Sequence, residues 1–428
     1  MDSKTLPNVS ALEAERLPRH RWYFFKEAFS PGIVKHAMAS EDLPIDATVF
    51  DPFSGSGTTP LEAGLGGRRG VGTEVNPFLQ FVANTKSQSA SLNAFDKALK
   101  STLLGIQHGA SSNLATFSTF SEKAPKAKAQ GKWLFNSKVL NAFEGGLQSI
   151  AKKVGPEYDM VRLCLIGAAM DSANAVKDGK CLRYRKNWDQ LRFNRDSLIS
   201  ALISRADIVK EDLDLDQPQS IKASIARGDS RSFGSKERFD LCVTSPPYLN
   251  SFDYTDVYRP ELFLSGLVKD MDQLRSLRLA TLRSHVQVSW PSPSQSDFGQ
   301  SYLTAIGALQ DAVAWNVQVD KNPWNSRLPL MIQAYFEDMS KVLSRLRKRS
   351  KPDASIWLVV STSAYCGVEI PVDLIIADIA GRSGWSLREV VVLRRLRRVA
   401  CQQWDELSKR MDAGGPFLRE SLVILDAS

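Results

Sequence analysis

The segment DLCVTSPPYLNSFDY, residues 240 to 254, places a serine, two prolines and a tyrosine after an apolar run that predicts a buried strand. Pro246 and Pro247 lack backbone donors and have fixed φ angles, so they cannot continue a sheet and their carbonyl groups are held rigidly. The Pro246 carbonyl and the Ser245 hydroxyl could accept hydrogen bonds from a ligand, on which Tyr248 could stack. However, consecutive prolines also simply end strands, and a tyrosine can simply cover the end of a sheet.

A second segment, TVFDPFSGSGTTPLEAGLGGRRGVGTEVNP at residues 48 to 77, indicates a nucleotide-binding turn. A short apolar strand ends at Asp51, a turn containing Gly55 and Gly57 follows, and a helix is expected from Thr58. Because glycines carry no Cβ, such a turn lets a ligand approach the backbone closely. The pattern predicts a βαβ unit with a ligand at its first turn.

An acidic residue completes this unit. A second strand is expected over residues 70 to 75, and it carries Glu74 at its end, 19 residues after Gly55. This separation is typical of an acid that reaches the ribose hydroxyls of a bound nucleotide. The alternative is a helix-capping or surface carboxylate.

Together, DPFSGSGTT and TSPPY resemble the motifs of the S-adenosylmethionine-dependent amino-methyltransferases of DNA, which methylate N4 of cytosine or N6 of adenine. That family carries a D-P-F-x-G-S-G-T-T turn and a catalytic Pro-Pro motif that begins with Ser, Asp or Asn and ends with an aromatic residue. The resemblance implies an α/β, Rossmann-like class I methyltransferase fold with a seven-stranded mixed sheet and a helical insertion. It also implies S-adenosyl-L-methionine as the cofactor. Since the cofactor motif comes first, the family's permuted arrangement is excluded.

The resemblance also implies roles for individual residues. HRWYFFKEAFSPGIV, residues 20 to 34, resembles an additional cofactor motif, and Asp229 in ARGDSRSF corresponds to an acid that reads the adenine ring, although a turn carboxylate is the alternative. The implied cofactor-binding residues are Phe29, Ser30, Pro31, Asp51, Pro52, Phe53, Gly55, Ser56, Gly57, Thr58, Glu74 and Asp229. The implied catalytic residues are Ser245, Pro246, Pro247 and Tyr248, with no metal ligands.

These residues suit methyl transfer to an exocyclic amine, a poor nucleophile because its lone pair is delocalised into the base. Acceptors at Ser245 and Pro246 could pull the nitrogen towards tetrahedral geometry with little reorganisation. A base inside a duplex cannot reach such a pocket, so the expected partner is double-stranded DNA with the target base flipped out. No strong general base is required, since the proton can leave after the transfer.

Relatives with serine at the first motif position are mostly N4-cytosine enzymes, so cytosine is the favoured base. An N6-adenine DNA enzyme is the alternative. An RNA or tRNA base methyltransferase and a non-catalytic DNA-binding component of a defence system are more distant ones. The intact residues of both motifs argue against the non-catalytic alternative.

The two motifs divide the chain into residues 1 to 90, a cofactor-binding half, and residues 220 to 428, a catalytic half. Residues 91 to 219 form a mainly helical insertion, in which KCLRYRKNW suits phosphate contacts, as does LRRLRRVA near the chain's end. Solvated surfaces would have the same composition. A further recognition insert is expected within residues 253 to 330, and SEKAPKAKAQGK is expected to form a flexible loop.

The whole chain of 428 residues carries a formal net charge of +8, which suits a polyanionic partner. Its five cysteines include no C-x-x-C pair, which predicts a reducing compartment and no structural zinc. The first 20 residues lack an apolar signal region, and no stretch approaches the roughly 18 apolar residues of a membrane span. A cytoplasmic protein without membrane partners is expected, and the sequence leaves its oligomeric state open.

Overall fold

A computed structural model describes residues 11–178, 181–215, 221–234, 237–250, 252–320, 327–365, 368–396 and 418–428, without the side chains of residues 313 and 315–320. The strands are β1 (Thr48–Asp51), β2 (Arg69–Glu74), β3 (Ala175–Asp178), β4 (Cys181–Tyr184), β5 (Ala223–Arg227), β6 (Phe239–Thr244), β7 (Ser350–Ser361), β8 (Ser363–Tyr365), β9 (Val368–Ile370), β10 (Trp385–Arg395) and β11 (Arg419–Ala427). The α-helices are α1 (Pro31–Ser40), α2 (Thr58–Leu65), α3 (Pro77–Lys86), α4 (Leu92–His108), α5 (Pro125–Gln130), α6 (Ser137–Ile150), α7 (Pro156–Asp171), α8 (Arg195–Leu215), α9 (Tyr254–Val257), α10 (Arg259–Leu264), α11 (Met271–Ala280), α12 (Gln300–Asp320), α13 (Leu328–Arg349) and α14 (Val372–Arg382). Short 3-10 helices lie at Ala11–Glu15, His20–Trp22, Asn113–Thr116 and Trp188–Gln190.

Seven strands form the central sheet, in the order β10, β11, β7, β6, β1, β2, β5. The pairs from β5 to β7 are parallel, whereas β11 runs antiparallel to both β7 and β10. This confirms the expected Rossmann-like class I methyltransferase fold with its seven-stranded mixed sheet.

Both faces of the sheet are buried, as the apolar strand sequences require. Along β7, Ile356, Leu358 and Val360 pack into one hydrophobic cluster with residues of α13 and α14. The alternating residues Trp357 and Val359 pack into another cluster with residues of α1. Helices on both faces therefore hold the strand ends in fixed positions.

The order of the strands creates a switch point beside β1. The chain continues from β1 to β2 and β5 on one side, and later adds β6 and β7 on the other. Ligands of open α/β sheets bind in the crevice at such a point, at the carboxyl ends of the strands. Here β1 ends at Asp51 and β6 ends at Thr244, whose hydroxyl donates a hydrogen bond of 2.6 Å to the Asp51 carboxylate. The fold thus joins two segments that lie 193 residues apart.

The helical region from α4 to α8 packs onto the rest of the chain through one hydrophobic cluster. Phe143, Leu165 and Leu202, from α6, α7 and α8, share this cluster with Phe78 of α3 and with Tyr258. All five side chains are buried, and the region therefore braces one side of the switch point.

The loop expectation for SEKAPKAKAQGK is wrong for half of that segment, because Pro125–Gln130 forms α5. Proline at the first helical position is compatible with a helix, since its missing N–H would be unpaired there in any case. Gly131 ends the helix in the left-handed region at φ 62°, and Ala127 is buried. The repetitive composition of this segment led to a loop prediction, although Pro125 and Gly131 mark the start and the end of a helix.

No described helix is long and apolar enough to cross a membrane. Within the described ranges, no three or more His, Cys, Asp and Glu side chains are grouped so that they could hold a metal ion. Cys164, Cys181 and Cys242 are free thiols, whereas Cys366 and Cys401 lie outside the described residues.

Candidate active site

A cavity of about 330 Å³ lies at the carboxyl ends of β1, β2 and β6. It brings most of the residues predicted from the sequence to one place. Those that line it are Phe29, Pro52, Phe53, Gly55, Thr58, Glu74, Ser245, Pro246, Pro247 and Tyr248. The glycine-containing turn and the Ser-Pro-Pro-Tyr segment therefore border the same space.

Other predicted residues support the walls of the cavity from outside it. Ser30 caps the start of α1, accepting a hydrogen bond from Gly32, and its hydroxyl donates to Glu13. Pro31 is the first residue of α1, and Ser56 is buried within the turn. Asp51, Gly57 and Asp229 are also absent from the lining and are described below.

Glu74 both shapes the turn and faces the cavity. One carboxylate oxygen accepts a hydrogen bond of 2.8 Å from the Gly55 amide, and the other accepts one of 2.7 Å from the Asn76 amide. Burial raises the pKa of Glu74 to about 7, although these amides favour the charged form. Each carboxylate oxygen can still accept a second hydrogen bond, so Glu74 can also receive a ligand hydroxyl.

The Asp51 carboxylate is buried behind the turn, with 1% of its surface exposed. Its Oδ1 accepts hydrogen bonds from the Thr244 hydroxyl and the Phe53 amide, whereas Oδ2 has no hydrogen-bond partner among the described residues. Burial raises the pKa of Asp51 to about 7, against the opposing effect of these hydrogen bonds. Asp51 therefore joins β1 to β6 at a cost in desolvation.

This burial predicts how stability depends on pH. Folding raises the pKa of Asp51 from 3.8 to about 7. The contribution of Asp51 to the free energy of unfolding therefore falls as the pH rises from 3.8 to 7, and it is most unfavourable above pH 7. An Asp51→Asn variant keeps an acceptor for Thr244 and Phe53 but cannot ionise. We expect the melting temperature of this variant, relative to that of the wild type, to be several degrees higher at pH 8 than at pH 5.

Differential scanning calorimetry of the ligand-free protein at both pH values measures this effect. Asp46→Asn, a change at an exposed aspartate, is the matched control and should give the same difference at both. A pH-independent difference for Asp51→Asn would show that Asp51 is charged throughout.

Gly57 makes a close approach to a neighbouring helix, and its predicted contact with the cofactor stays a prediction. It lies in the left-handed region at φ 88°, and a Cβ there would come 2.7 Å from the Cβ of Ala83 in α3. The close approach is therefore to a neighbouring helix, and the lining of the cavity does not include Gly57. Packing of α2 against α3 requires this glycine.

A Gly57→Ala variant should therefore lose stability even without a ligand, by about 3 kcal/mol, because a steric clash adds to the backbone strain. Gly131→Ala is the control, since that glycine has φ 62° but no atom within 4 Å of a built Cβ. Urea unfolding of both variants separates the clash from the strain. Equal losses would refute the packing role of Gly57.

The side chain of Tyr248 is held by a buried carboxylate of β11. Its hydroxyl donates a hydrogen bond of 2.7 Å to Glu420, which also accepts one of 2.7 Å from Arg394 of β10. Burial, and then the negative charge of Glu420, raise the pKa of Tyr248 well above its usual value. The sequence signal for Glu420 is a single acid just before the apolar run LVIL of the strand RESLVIL.

The backbone of the Ser-Pro-Pro-Tyr segment is fixed on both sides. Thr244 is bonded to Asp51 before it, and after it the Leu249 carbonyl accepts hydrogen bonds from the hydroxyls of Ser363 and Tyr365. No described residue donates a hydrogen bond to the Pro246 carbonyl. This rigidly held acceptor is therefore free to receive a ligand.

Asp229 does not line the cavity that contains Ser245 and Tyr248, although its neighbours Gly228 and Ser230 do. Its carboxylate is paired with Arg231 at 2.7 Å, and Arg231 also contacts Asp338 of α13 at 3.1 Å. Asp229 borders an adjoining cavity of about 630 Å³. Its role with the adenine ring stays a prediction.

Several lining residues were missed by the sequence analysis. They are Phe25, Phe252, Tyr254, Leu282, Ser284 and His285. Phe252 and Tyr254 lie in the quoted segment around Ser245, so their aromatic character was a visible signal. Leu282, Ser284 and His285 follow α11, and no local pattern marks their approach to the cavity.

Each of the two basic segments has an arginine that is already paired with a carboxylate. In KCLRYRKNW, Arg183 pairs with Asp178, and Trp188 packs against Trp133 at 4.8 Å between ring centroids. Lys180 lies outside the described residues, as do residues 397 to 400 of LRRLRRVA. Within the second segment, Arg394 is bonded to Glu420 and so supports Tyr248. Phosphate binding by these segments stays a prediction.

No protein-family model matches the chain. The chain is similar over most of its length to Type II methyltransferases. It is 23% identical to M.BsoBI of Geobacillus stearothermophilus, over 95% of this chain and 85% of that protein. It is 23% identical to M.AvaI of a Nostoc species, over 88% and 81%, and 20% identical to M.MvaI of Kocuria varians, over 84% and 80%.

Similarity to solved structures is weak. TrmN from Thermus thermophilus matches with a TM-score of 0.30 and 10% identity, over 97% of this chain and 53% of that one. A TehB-like SAM-dependent methyltransferase from Corynebacterium glutamicum matches with a TM-score of 0.28 and 10% identity, over 92% and 88%. The fold assignment rests on the order and direction of the strands and not on these scores.

Proposed function

We propose that this protein is a site-specific DNA methyltransferase that transfers a methyl group from S-adenosyl-L-methionine to the exocyclic amine of a flipped base, with N4 of cytosine favoured. The observation that carries this proposal is the shared cavity of the glycine-containing turn, Glu74 and the Ser-Pro-Pro-Tyr segment. Similarity to three Type II methyltransferases over at least 84% of the chain supports the same activity.

The residues of the cavity fit the cofactor. Glu74 presents a buried carboxylate that suits ribose hydroxyls, and the adjoining turn exposes Gly55, which has no side chain between backbone and ligand. Phe29 borders the same cavity and offers an apolar surface to the methionine part. When bound, S-adenosyl-L-methionine supplies a methyl group bonded to a positively charged sulfur, and an amine can attack the carbon of that methyl group directly.

The Ser-Pro-Pro-Tyr segment would activate the amine. The two N–H groups of the target amine would donate hydrogen bonds to the Ser245 hydroxyl oxygen and to the free Pro246 carbonyl. These acceptors favour a tetrahedral nitrogen, whose lone pair is then available for the transfer. Because both ends of the segment are anchored, the acceptors need little reorganisation in the transition state.

Tyr248 would hold the base by stacking. Its ring borders the cavity, and the hydrogen bond from its hydroxyl to Glu420 restricts the ring's orientation. A fixed aromatic face suits a base that has left the duplex. The proton would leave the nitrogen after the methyl transfer, when the product cation is strongly acidic.

The choice of cytosine rests on Ser245 and on the resemblance. A neutral serine stands where adenine enzymes of the resembled family mostly carry an aspartate. Cytosine and adenine both present an exocyclic amine next to a ring nitrogen, so the same acceptors would serve an adenine substrate. N6-adenine methylation is therefore the second form of the proposal.

Transfer of label from methyl-labelled S-adenosyl-L-methionine tests the proposed function in vitro. We expect the purified protein to label duplex DNA prepared from a methylation-free host, and not to label total RNA. Label in RNA alone would favour the tRNA-type alternative. Binding of the cofactor without label in any nucleic acid would favour the non-catalytic alternative.

A further inference from the structure

His285 lies in a segment that is anchored to α13. Arg283, two residues before His285, is buried and contacts both Glu337 and Asp338 of α13, each at 2.7 Å. The Arg283 amide also donates to Asp338 at 3.1 Å. Such bidentate, charge-assisted contacts fix the backbone that leads to His285.

The backbone of His285 is also fixed from the following side. The Trp290 indole donates a hydrogen bond of 2.8 Å to the His285 carbonyl, and the two rings lie 5.2 Å apart in an edge-to-face arrangement. The position of the imidazole is therefore determined by two independent anchors, Arg283 and Trp290.

In contrast, the imidazole itself is unsatisfied. Only 2% of His285 is exposed, yet neither ring nitrogen makes a hydrogen bond to the described residues. The ring borders the cavity that also contains Ser245 and Tyr248. An unpaired buried polar group is costly, and natural proteins retain few of them without a role.

Burial favours the neutral form of the ring, and its charged and polar neighbours have opposing effects. Burial lowers the pKa of His285, Asp253 of the segment before α9 opposes this, and Arg278 of α11 reinforces it. The Gln287 side chain makes a polar contact that, like Asp253, raises the pKa of His285, although its geometry falls outside that of a hydrogen bond. Asp253 and Arg278 are paired with each other at 2.7 Å, so neither is a free charge. A neutral imidazole offers one donor and one acceptor.

We propose that His285 hydrogen-bonds to the polar edge of the flipped target base and so helps to select it. This inference rests on the proposed function. The donor N–H of the ring suits the ring nitrogen next to the exocyclic amine, N3 of cytosine or N1 of adenine. Ser245 and Pro246 would accept from the amine while His285 identifies the ring nitrogen beside it, which distinguishes an aminated base from thymine.

A His285→Leu variant tests this role, because leucine fills the space but makes no hydrogen bond. We expect kcat/KM for DNA to fall at least about tenfold, the scale of one lost hydrogen bond in a buried site. Affinity for S-adenosyl-L-methionine, measured by calorimetry, should stay within about twofold of wild type. The melting temperature should be unchanged or raised, since an unsatisfied buried group is removed.

His20→Leu provides the matched comparison for stability. His20 is a buried histidine outside the cavity lining, and its ring is bonded to Glu62 at 2.8 Å. Its replacement should lower the melting temperature, because the buried Glu62 carboxylate loses one of its two partners and keeps only Lys35, at 3.5 Å. A similar loss of stability in His285→Leu would show that His285 is a structural residue.

His285→Gln separates recognition from packing, since glutamine restores a donor. We expect it to recover part of the lost kcat/KM. Unchanged DNA methylation in His285→Leu, or a tenfold loss of cofactor affinity, would overturn the proposal. If the wild-type protein methylates no DNA, the proposed function is wrong. If the wild type and His285→Leu methylate DNA equally, only the role of His285 is wrong.

Discussion

The Ser245→Ala variant should lower kcat for DNA methylation about 100-fold, the scale for removing one preorganised group that stabilises the transition state. The hydroxyl oxygen matters most when the amine becomes tetrahedral, so the loss should appear in kcat more than in DNA affinity. Single-turnover rates with saturating cofactor and DNA measure it directly.

Two binding measurements control this experiment. Cofactor affinity of Ser245→Ala should stay near wild type, because Glu74 and the turn at Gly55 are unchanged. The melting temperature should also stay close, since the neighbouring anchor between Thr244 and Asp51 is retained. A Ser245→Ala variant that methylates at the normal rate would make Ser-Pro-Pro-Tyr an ordinary end of a strand.

The Tyr248→Ala variant should lose about 1 to 3 kcal/mol of interaction with the flipped base, the range for one aromatic stacking partner. Tyr248→Phe keeps the ring and should lose much less activity. However, it removes the hydrogen bond to Glu420 and leaves Arg394 as the partner of that carboxylate, so its stability should fall by about 1 kcal/mol.

Mismatched DNA tests whether flipping is the step that suffers. A mismatch at the target base makes flipping cheaper, and it should partly rescue Tyr248→Ala. Fluorescence anisotropy with matched and mismatched duplexes compares the affinities. If Tyr248→Ala instead loses cofactor binding, Tyr248 belongs to the cofactor subsite and the stacking role is wrong.

The meeting of the two motifs could be predicted from the sequence for a physical reason. Asp51 and Thr244 each follow a short apolar run and precede a turn that cannot continue a strand. In a parallel sheet the carboxyl ends of strands share one edge, so both motifs had to lie at that edge. Glycines and prolines mark these turns locally, and such signals survive in a single sequence.

The supports of the site could not be predicted in the same way. Tyr248 bonds to Glu420, 172 residues away, and Arg283 bonds to Asp338, 55 residues away. No local pattern encodes such pairs, because they depend on which strand or helix packs beside the site. Gly57 illustrates the reverse case, since its local signal was clear but its close neighbour is Ala83 of another helix.

The most direct test of the account is the chemical identity of the product. The protein is expressed in a methylation-free bacterial host, the DNA is hydrolysed, and its nucleosides are identified by mass spectrometry, with Ser245→Ala at equal expression as the control. The account predicts N4-methylcytosine with the wild-type protein and far less with the variant. N6-methyladenine alone would contradict the choice of base, and the absence of any modified base from the DNA would contradict the proposed function itself.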